Sequence, residues 1–141
     1  MLAAPHRLRR PTDFMSVLRR GVRSGRATLV LHLLLPDGDA GAEPTPDAVP
    51  ALTPARVGFI VPKAVGGSVL RHRVTRQLRA LCAARIDTFP AGSSNVVRAL
   101  PPAAGASSAQ LGADLDAALA RALRRAQRDP ARPAAMSGPS R

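Results

Sequence analysis

Residues 57–79 run V-G-F-I-V-P-K-A-V-G-G-S-V-L-R-H-R-V-T-R-Q-L-R: a β-branched segment, a proline, a glycine pair, then a stretch with helical period. The first part predicts a short strand over Arg56–Val61 that ends at Pro62, because proline offers no N–H to a ladder. Gly66 and Gly67 predict a turn. From Val69 to Arg85 the apolar residues Leu70, Val74, Leu78 and Leu81 recur at steps of four, four and three, which places them along one side of a helix. At about 100° per residue, His72, Arg76 and Arg79 fall on the opposite side, with Arg71 and Arg73 at its edges. Strand, glycine turn and helix in that order decide for a mixed α/β fold with a small sheet.

Upstream, Phe14, Val17 and Leu18 are spaced i, i+3, i+4 and predict a helix over Thr12–Arg20, with Asp13 in its first turn and Gly21 just beyond its end. Ala27–Leu35 is a Leu/Val-rich strand. Leu29, Leu31, Leu33 and Leu35 share one face, and Val30, His32 and Leu34 the other. Residues 36–55 carry four acids, five prolines and no base, without apolar periodicity, and are expected to be a flexible acidic loop.

Downstream, Asn95–Leu100 is a further strand, stopped by Pro101 and Pro102. Ser107 and Gln110 form a capping-box pair ahead of a final helix with Leu111, Leu115, Leu119 and Leu123 at i+4 steps. One domain over residues 1–126 is expected, followed by a disordered tail over 127–141. Three arginines near the start, Arg7, Arg9 and Arg10, fit a loose basic arm.

The 141 residues carry a net charge of +12, and of 21 basic residues all but Lys63 are arginine. A compositional preference for Arg over Lys does not account for such an excess of base over acid, so a polyanion is the expected partner. Enzymatic constellations fail on residue supply. One cysteine and three scattered histidines (His6, His32, His72) exclude a structural zinc pattern. No phosphate-binding loop of the G-x-x-x-x-G-K-[ST] type and no G-x-S-x-G elbow occurs. With so few acids a paired-carboxylate site is not expected, so no catalytic side chain and no metal ligand is assigned from the sequence. Cys82 on the apolar side of the arginine helix is expected to pack as a small hydrophobe. The lone cysteine and the lack of a run of about 18 apolar residues fit a cytoplasmic protein without a membrane role.

Arg71, Arg73, Arg76 and Arg79 are crowded at the start of one helix, and no acid follows them before Asp87. Their mutual repulsion costs on the order of tenths of a kcal/mol per close pair. An external polyanion relieves it, since the planar guanidinium meets phosphate in two places at once. A non-catalytic structured-RNA-binding module, such as a ribosomal protein, would use such a helix equally well. A helix-turn-helix DNA binder fits poorly, because a strand and a glycine turn precede the basic helix where a short helix should.

The run Arg71-His72-Arg73-Val74-Thr75-Arg76-Gln77-Leu78-Arg79 after V-G-F-I-V-P-K resembles the arginine-rich motif of the bacterial ribonuclease P protein component. Asp13-Phe14-Met15-Ser16-Val17-Leu18-Arg19-Arg20-Gly21 is similar to the D-F-x-x-V-x-x-x-G helix of that family. Asn95-Val96-Val97-Arg98-Ala99 and the last leucine helix extend the likeness over roughly residues 6–125. The resemblance implies a small α/β sandwich of about four strands and three helices with a left-handed βαβ crossover. It implies an accessory subunit of an endoribonuclease whose catalytic RNA, with bound Mg²⁺, removes the 5′ leader of precursor tRNA, with no stable protein partner required. Carried over, Lys63, Arg71, His72, Arg73, Arg76 and Arg79 would meet the RNA subunit, and Phe14, Leu18, Val30 and His32 would line a leader-binding cleft. The chain departs from the family's pattern at His72 (usually Asn), Thr75 (usually basic) and Gly67 (often Asn). Leu18, Leu29 and His32 stand at cleft positions usually held by aromatics, which implies weaker leader binding, since stacking contributes about 1–3 kcal/mol per base.

Overall fold

The computed structural model describes residues 4–36 and 54–128. Its main elements are α1 (Pro11–Arg20), β1 (Val22–Gly25), β2 (Leu29–Leu34), β3 (Arg56–Ile60), α2 (Ser68–Ala84), β4 (Ser94–Ala99) and α3 (Ser108–Arg128). The strands form one mixed sheet in the order β1-β2-β4-β3. β1 and β2 make an antiparallel hairpin, β2 and β4 are antiparallel, and β3 and β4 run parallel, joined through α2.

Strict alternation in β2 divides the molecule into layers. Leu29, Leu31 and Leu33 are fully buried with Val57, Val97 and Ala99 under α2 and α3, in one large core. Val96 of β4 faces the other way and packs with Leu8, Val17, Phe14 and Leu18 beneath α1. A helix pair therefore covers one face of the sheet and a single helix the other.

Within α2 the fully buried positions are Val74, Leu78 and Cys82, three residues along one i+4 row. Leu70 and Leu81 are only half-buried, so the core stripe ends on the cysteine where the leucine was expected. In α3, Leu111, Leu115 and Leu119 pack with Ala118, Ala122 and Ala126, which bring the helix close to the sheet. The predicted capping box closes: Gln110 N–H donates to Ser107 Oγ at 3.1 Å and Ser107 N–H to Gln110 Oε1 at 2.9 Å. α2 and α3 are tied by the Gln77 to Ser108 hydrogen bond and by Arg85, whose guanidinium pairs with Asp116.

Several sequence expectations need correction. β1 was not foreseen: V-R-S-G holds one apolar residue, and its register comes entirely from pairing with β2. The predicted strand Ala27–Leu35 loses its first two residues to the hairpin turn, where Arg26 N–H donates to Leu29 O. The N-terminal arginines are not on a loose arm, since Arg7 bridges Val57 and Leu8 is buried, with its N–H on Val57 O. That segment covers the outer edge of β3. Ala55, assigned to the acidic loop, is buried, and its carbonyl accepts from His6 Nδ1 at 2.8 Å. Most of that loop, residues 37–53, lies outside the described residues. α3 runs to Arg128, past the expected start of the tail, and residues 129–141 also lie outside.

Candidate RNA-binding surfaces

Between β3 and α2 the chain passes Pro62, a 3-10 turn at Lys63–Val65 and the glycine pair. Gly66 has φ 156°, and an added Cβ would stand 2.5 Å from Leu70 Cδ2. Only glycine fits there. Its carbonyl accepts from Arg71 Nε at 3.1 Å, so Arg71 braces the turn that aims the helix. Thr75 Oγ1 turns inward to Arg71 O at 2.8 Å.

His72, Arg73 and Arg76 are exposed on α2, as is Lys63 on the turn before it, while Arg71 and Arg79 are half-buried. The structure thus brings the predicted basic residues onto one side of one helix and its lead-in. Among the described residues, the carboxylates of Asp13, Asp114 and Asp116 pair with Arg56, Arg26 and Arg85. None of them reaches the first three turns of α2. A shallow pocket of about 220 Å³ lies where the end of β3 meets that helix start, lined by Val61, Ser68, Arg71, His72 and Thr75.

The second surface is the sheet face under α1. Three rows of residues cross the strands there, from β3 to β1, and the ladders define them. Arg56, Ser94 and Leu34 form the first row, Gly58, Val96, His32 and Arg23 the second, and Ile60, Arg98, Val30 and Gly25 the third. α1 begins over β3, where Asp13 pairs with Arg56 and the Phe14 ring lies directly on Gly58. An added Cβ at Gly58 would overlap that ring, which is why the strand reads V-G-F. α1 ends at Gly21, next to β1. Ten residues at 1.5 Å each span roughly 15 Å, about the width of four strands. The helix therefore crosses the sheet mainly over the first two rows; in the third, Ile60 packs against the same cluster and Val30 is buried, while Arg98 and Gly25 are exposed.

Phe14, Leu18, Val30 and His32 all belong to this face, as predicted. Phe14 and Leu18 are half-buried against Val96, and Val30 and His32 are buried in β2. Leu29 does not belong to it: its side chain is fully buried under α3, as the period-two alternation requires. His32 Nδ1 is buried and has no hydrogen-bond partner. Burial, then the positive charges of Arg23 and Arg98, push its pKa down to about 4, so the ring is neutral at pH 7.

Arg23 and Arg98 were not singled out from the sequence. Arg98 could have been, because it alternates with Val97 and so must leave the core. Arg23 lies in the strand that gave no periodic signal.

Cys82 is fully buried, and burial raises its thiol pKa to about 12, which removes it from any nucleophilic role at neutral pH. Among the described residues no group of three or more His, Cys, Asp or Glu could hold a metal ion. No helix among them is long and apolar enough to cross a membrane. No short helix precedes α2 to make a helix-turn-helix, since β3 and the 3-10 turn occupy that place.

Comparison with known proteins agrees with this layout. A family model described as Ribonuclease P matches residues 2–123. The ribonuclease P protein component of Salinispora tropica is 49% identical over 133 residues, covering 86% of this chain and 93% of its own. That of Streptomyces griseus is 51% identical over 123 residues, covering 87% and 96%. Among solved structures, the Staphylococcus aureus RNase P protein superimposes with a TM-score of 0.66 at 20% identity, covering 83% of this chain and 94% of that one. The Thermotoga maritima protein gives 0.63 at 18% identity, with 82% and 96% covered. At such identities the two structures speak for the fold.

Proposed function

The chain belongs to the ribonuclease P protein family, as the protein subunit of that endoribonuclease, and we propose that it serves 5′ maturation of precursor tRNA through two separate surfaces. The arginine side of α2, with Lys63, meets the catalytic RNA. The sheet face bordered by α1 receives the single-stranded 5′ leader. The RNA supplies the chemistry with Mg²⁺ it holds itself, and the protein supplies position and charge. Its place is the cytoplasm, beside that RNA.

The observation that carries this reading is the uncompensated charge of α2. His72, Arg73 and Arg76 project from one side of a helix whose other side is locked into the core by Val74, Leu78 and Cys82. A rigid row of guanidiniums without carboxylates suits the phosphates of a folded RNA, because counterion release on contact favours binding. A phosphate near the start of α2 would also meet free backbone N–H groups and the positive end of the helix dipole.

Affinity for a bacterial ribonuclease P RNA, measured over a range of salt, tests the assignment. Arg73→Ala/Arg76→Ala should bind at least tenfold more weakly at moderate salt and flatten the log–log salt slope by about 1.8, at roughly 0.9 per phosphate contact. Both side chains are exposed, so the melting temperature should not move. Unchanged affinity and slope would place the RNA on some other surface.

A further inference from the structure

The open border of the α1 face carries a charge pattern of its own. Arg23 of β1 lies directly across the ladder from His32 of β2, and Arg98 of β4 lies across from Val30, one step diagonal to the same histidine. Both arginines are exposed, and no carboxylate among the described residues pairs with either. Between them lie His32 and Val30, both buried in β2, and the exposed backbone at Gly25, so the two guanidiniums rise above a closed, nearly flat stretch of sheet. Neighbouring strands are about 4.8 Å apart, so side chains two strands apart start roughly 10 Å from one another. Guanidinium groups reaching inward from there can hold one phosphate jointly or two successive ones.

The outer strand is fixed in place. Arg125 of α3 donates to the carbonyl of Arg23 itself at 2.6 Å, and Thr28 of the hairpin turn donates twice to Asp114 of α3. Arg23 therefore projects from an anchored backbone although its strand is only four residues long.

We propose that Arg23 and Arg98 clamp the phosphate backbone of the 5′ leader across His32, so that this chain holds the leader by charge where an aromatic surface would hold it by stacking. The proposal rests on the leader occupying the α1 face, and it assigns the binding mode there. The occupant is a single strand because the surface suits one: two exposed cations without carboxylate partners among the described residues, the buried His32 and Val30 between them, and α1 alongside. The neutral histidine adds no third charge and lets both arginines stay close.

The test uses the reconstituted holoenzyme and compares a precursor carrying a short leader with the leaderless tRNA, for the wild type and Arg23→Ala/Arg98→Ala. The wild type should bind the leader-bearing RNA more tightly, and the double variant should lose roughly tenfold of that gain. Its affinity for leaderless tRNA and for the catalytic RNA should be unchanged. Neutral methylphosphonate linkages in the leader should weaken binding to the wild type and have little further effect on the variant. If the wild type shows no leader-dependent gain, the leader is not on this face and the inference falls with that reading. If the gain is present and survives in the double variant, or if neutral linkages leave wild-type binding intact, the clamp is refuted while the leader assignment stands.

Discussion

His32 shows how one residue can be placed correctly from the sequence while its environment stays hidden. Period-two alternation in L-V-L-H-L-L assigns it to the face opposite the leucine core, and it is found there. Its two arginine neighbours come from strands 9 residues before and 66 residues after it in the chain, a proximity no local pattern encodes. The pairing has a measurable consequence. Folded His32 takes up a proton only near pH 4, whereas in the unfolded chain it does so near 6.5. The unfolded state binds more protons between those values, so the contribution of the neutral ring is complete above 6.5 and is lost as pH falls toward 4. The wild type should lose about 3 kcal/mol of stability across that window relative to His32→Leu, in which the site cannot titrate. Denaturant midpoints for both proteins at pH 7, 5.5 and 4 measure it. Parallel curves would mean that the ring charges freely where it sits.

At the level of elements, legibility followed repetition. α2 and α3 repeat an apolar stripe over about three turns each, and both were read to within a residue or two at their starts. The capping box at Ser107 and Gln110 was readable because two side chains and two N–H groups satisfy one another locally. β1 was not readable, since an edge strand with one apolar residue draws its order from β2 and from Arg125. Leu81 and Cys82 flank Leu78 on either side of the stripe, about 100° apart, and only the position of α3 decides which one faces the core. Leu29 was misplaced for another reason: family likeness put it in the cleft, against the alternation of its own strand. The glycine pair before α2 separates in the same physical way. Gly66 is held at a backbone angle that side chains avoid and touches Leu70, whereas Gly67 is extended with nothing around it. Gly66→Ala should therefore destabilise the protein by about 1–3 kcal/mol. Gly67→Asn should be neutral or stabilising by a few tenths of a kcal/mol, because it supplies the side-chain cap α2 lacks. Equal effects of the two substitutions would contradict the assigned turn.

For the whole molecule, the fold puts the two proposed RNA contacts on different layers. α2 lies with α3 over one face of the sheet, and the proposed leader face is the other, so a catalytic RNA and a leader would meet the protein without competing for one surface. The connection is the sheet itself: β3 leads into the arginine helix through Lys63, and β4, which returns from it, carries Arg98. Exposed arginines on both layers, Arg73 and Arg76 on one and Arg23 and Arg98 on the other, serve the same end, since a polyanion pressed against another polyanion needs cations between them. Membership of the ribonuclease P protein family could be read from the arginine motif together with the D-F-x-x-V helix and their spacing. The proposed clamp could not, because it joins residues from three strands.

We propose that this protein enables an RNA to cleave by supplying positive charge from one helix. The decisive experiment is 5′ cleavage of a precursor tRNA by a bacterial ribonuclease P RNA at low Mg²⁺, with and without the protein. The wild type should restore cleavage at a Mg²⁺ concentration where the RNA alone is nearly inactive, and Arg73→Ala/Arg76→Ala, folded and at the same concentration, should not. Cleavage that the protein leaves unchanged, or that the double variant restores as well as the wild type, would contradict the proposal.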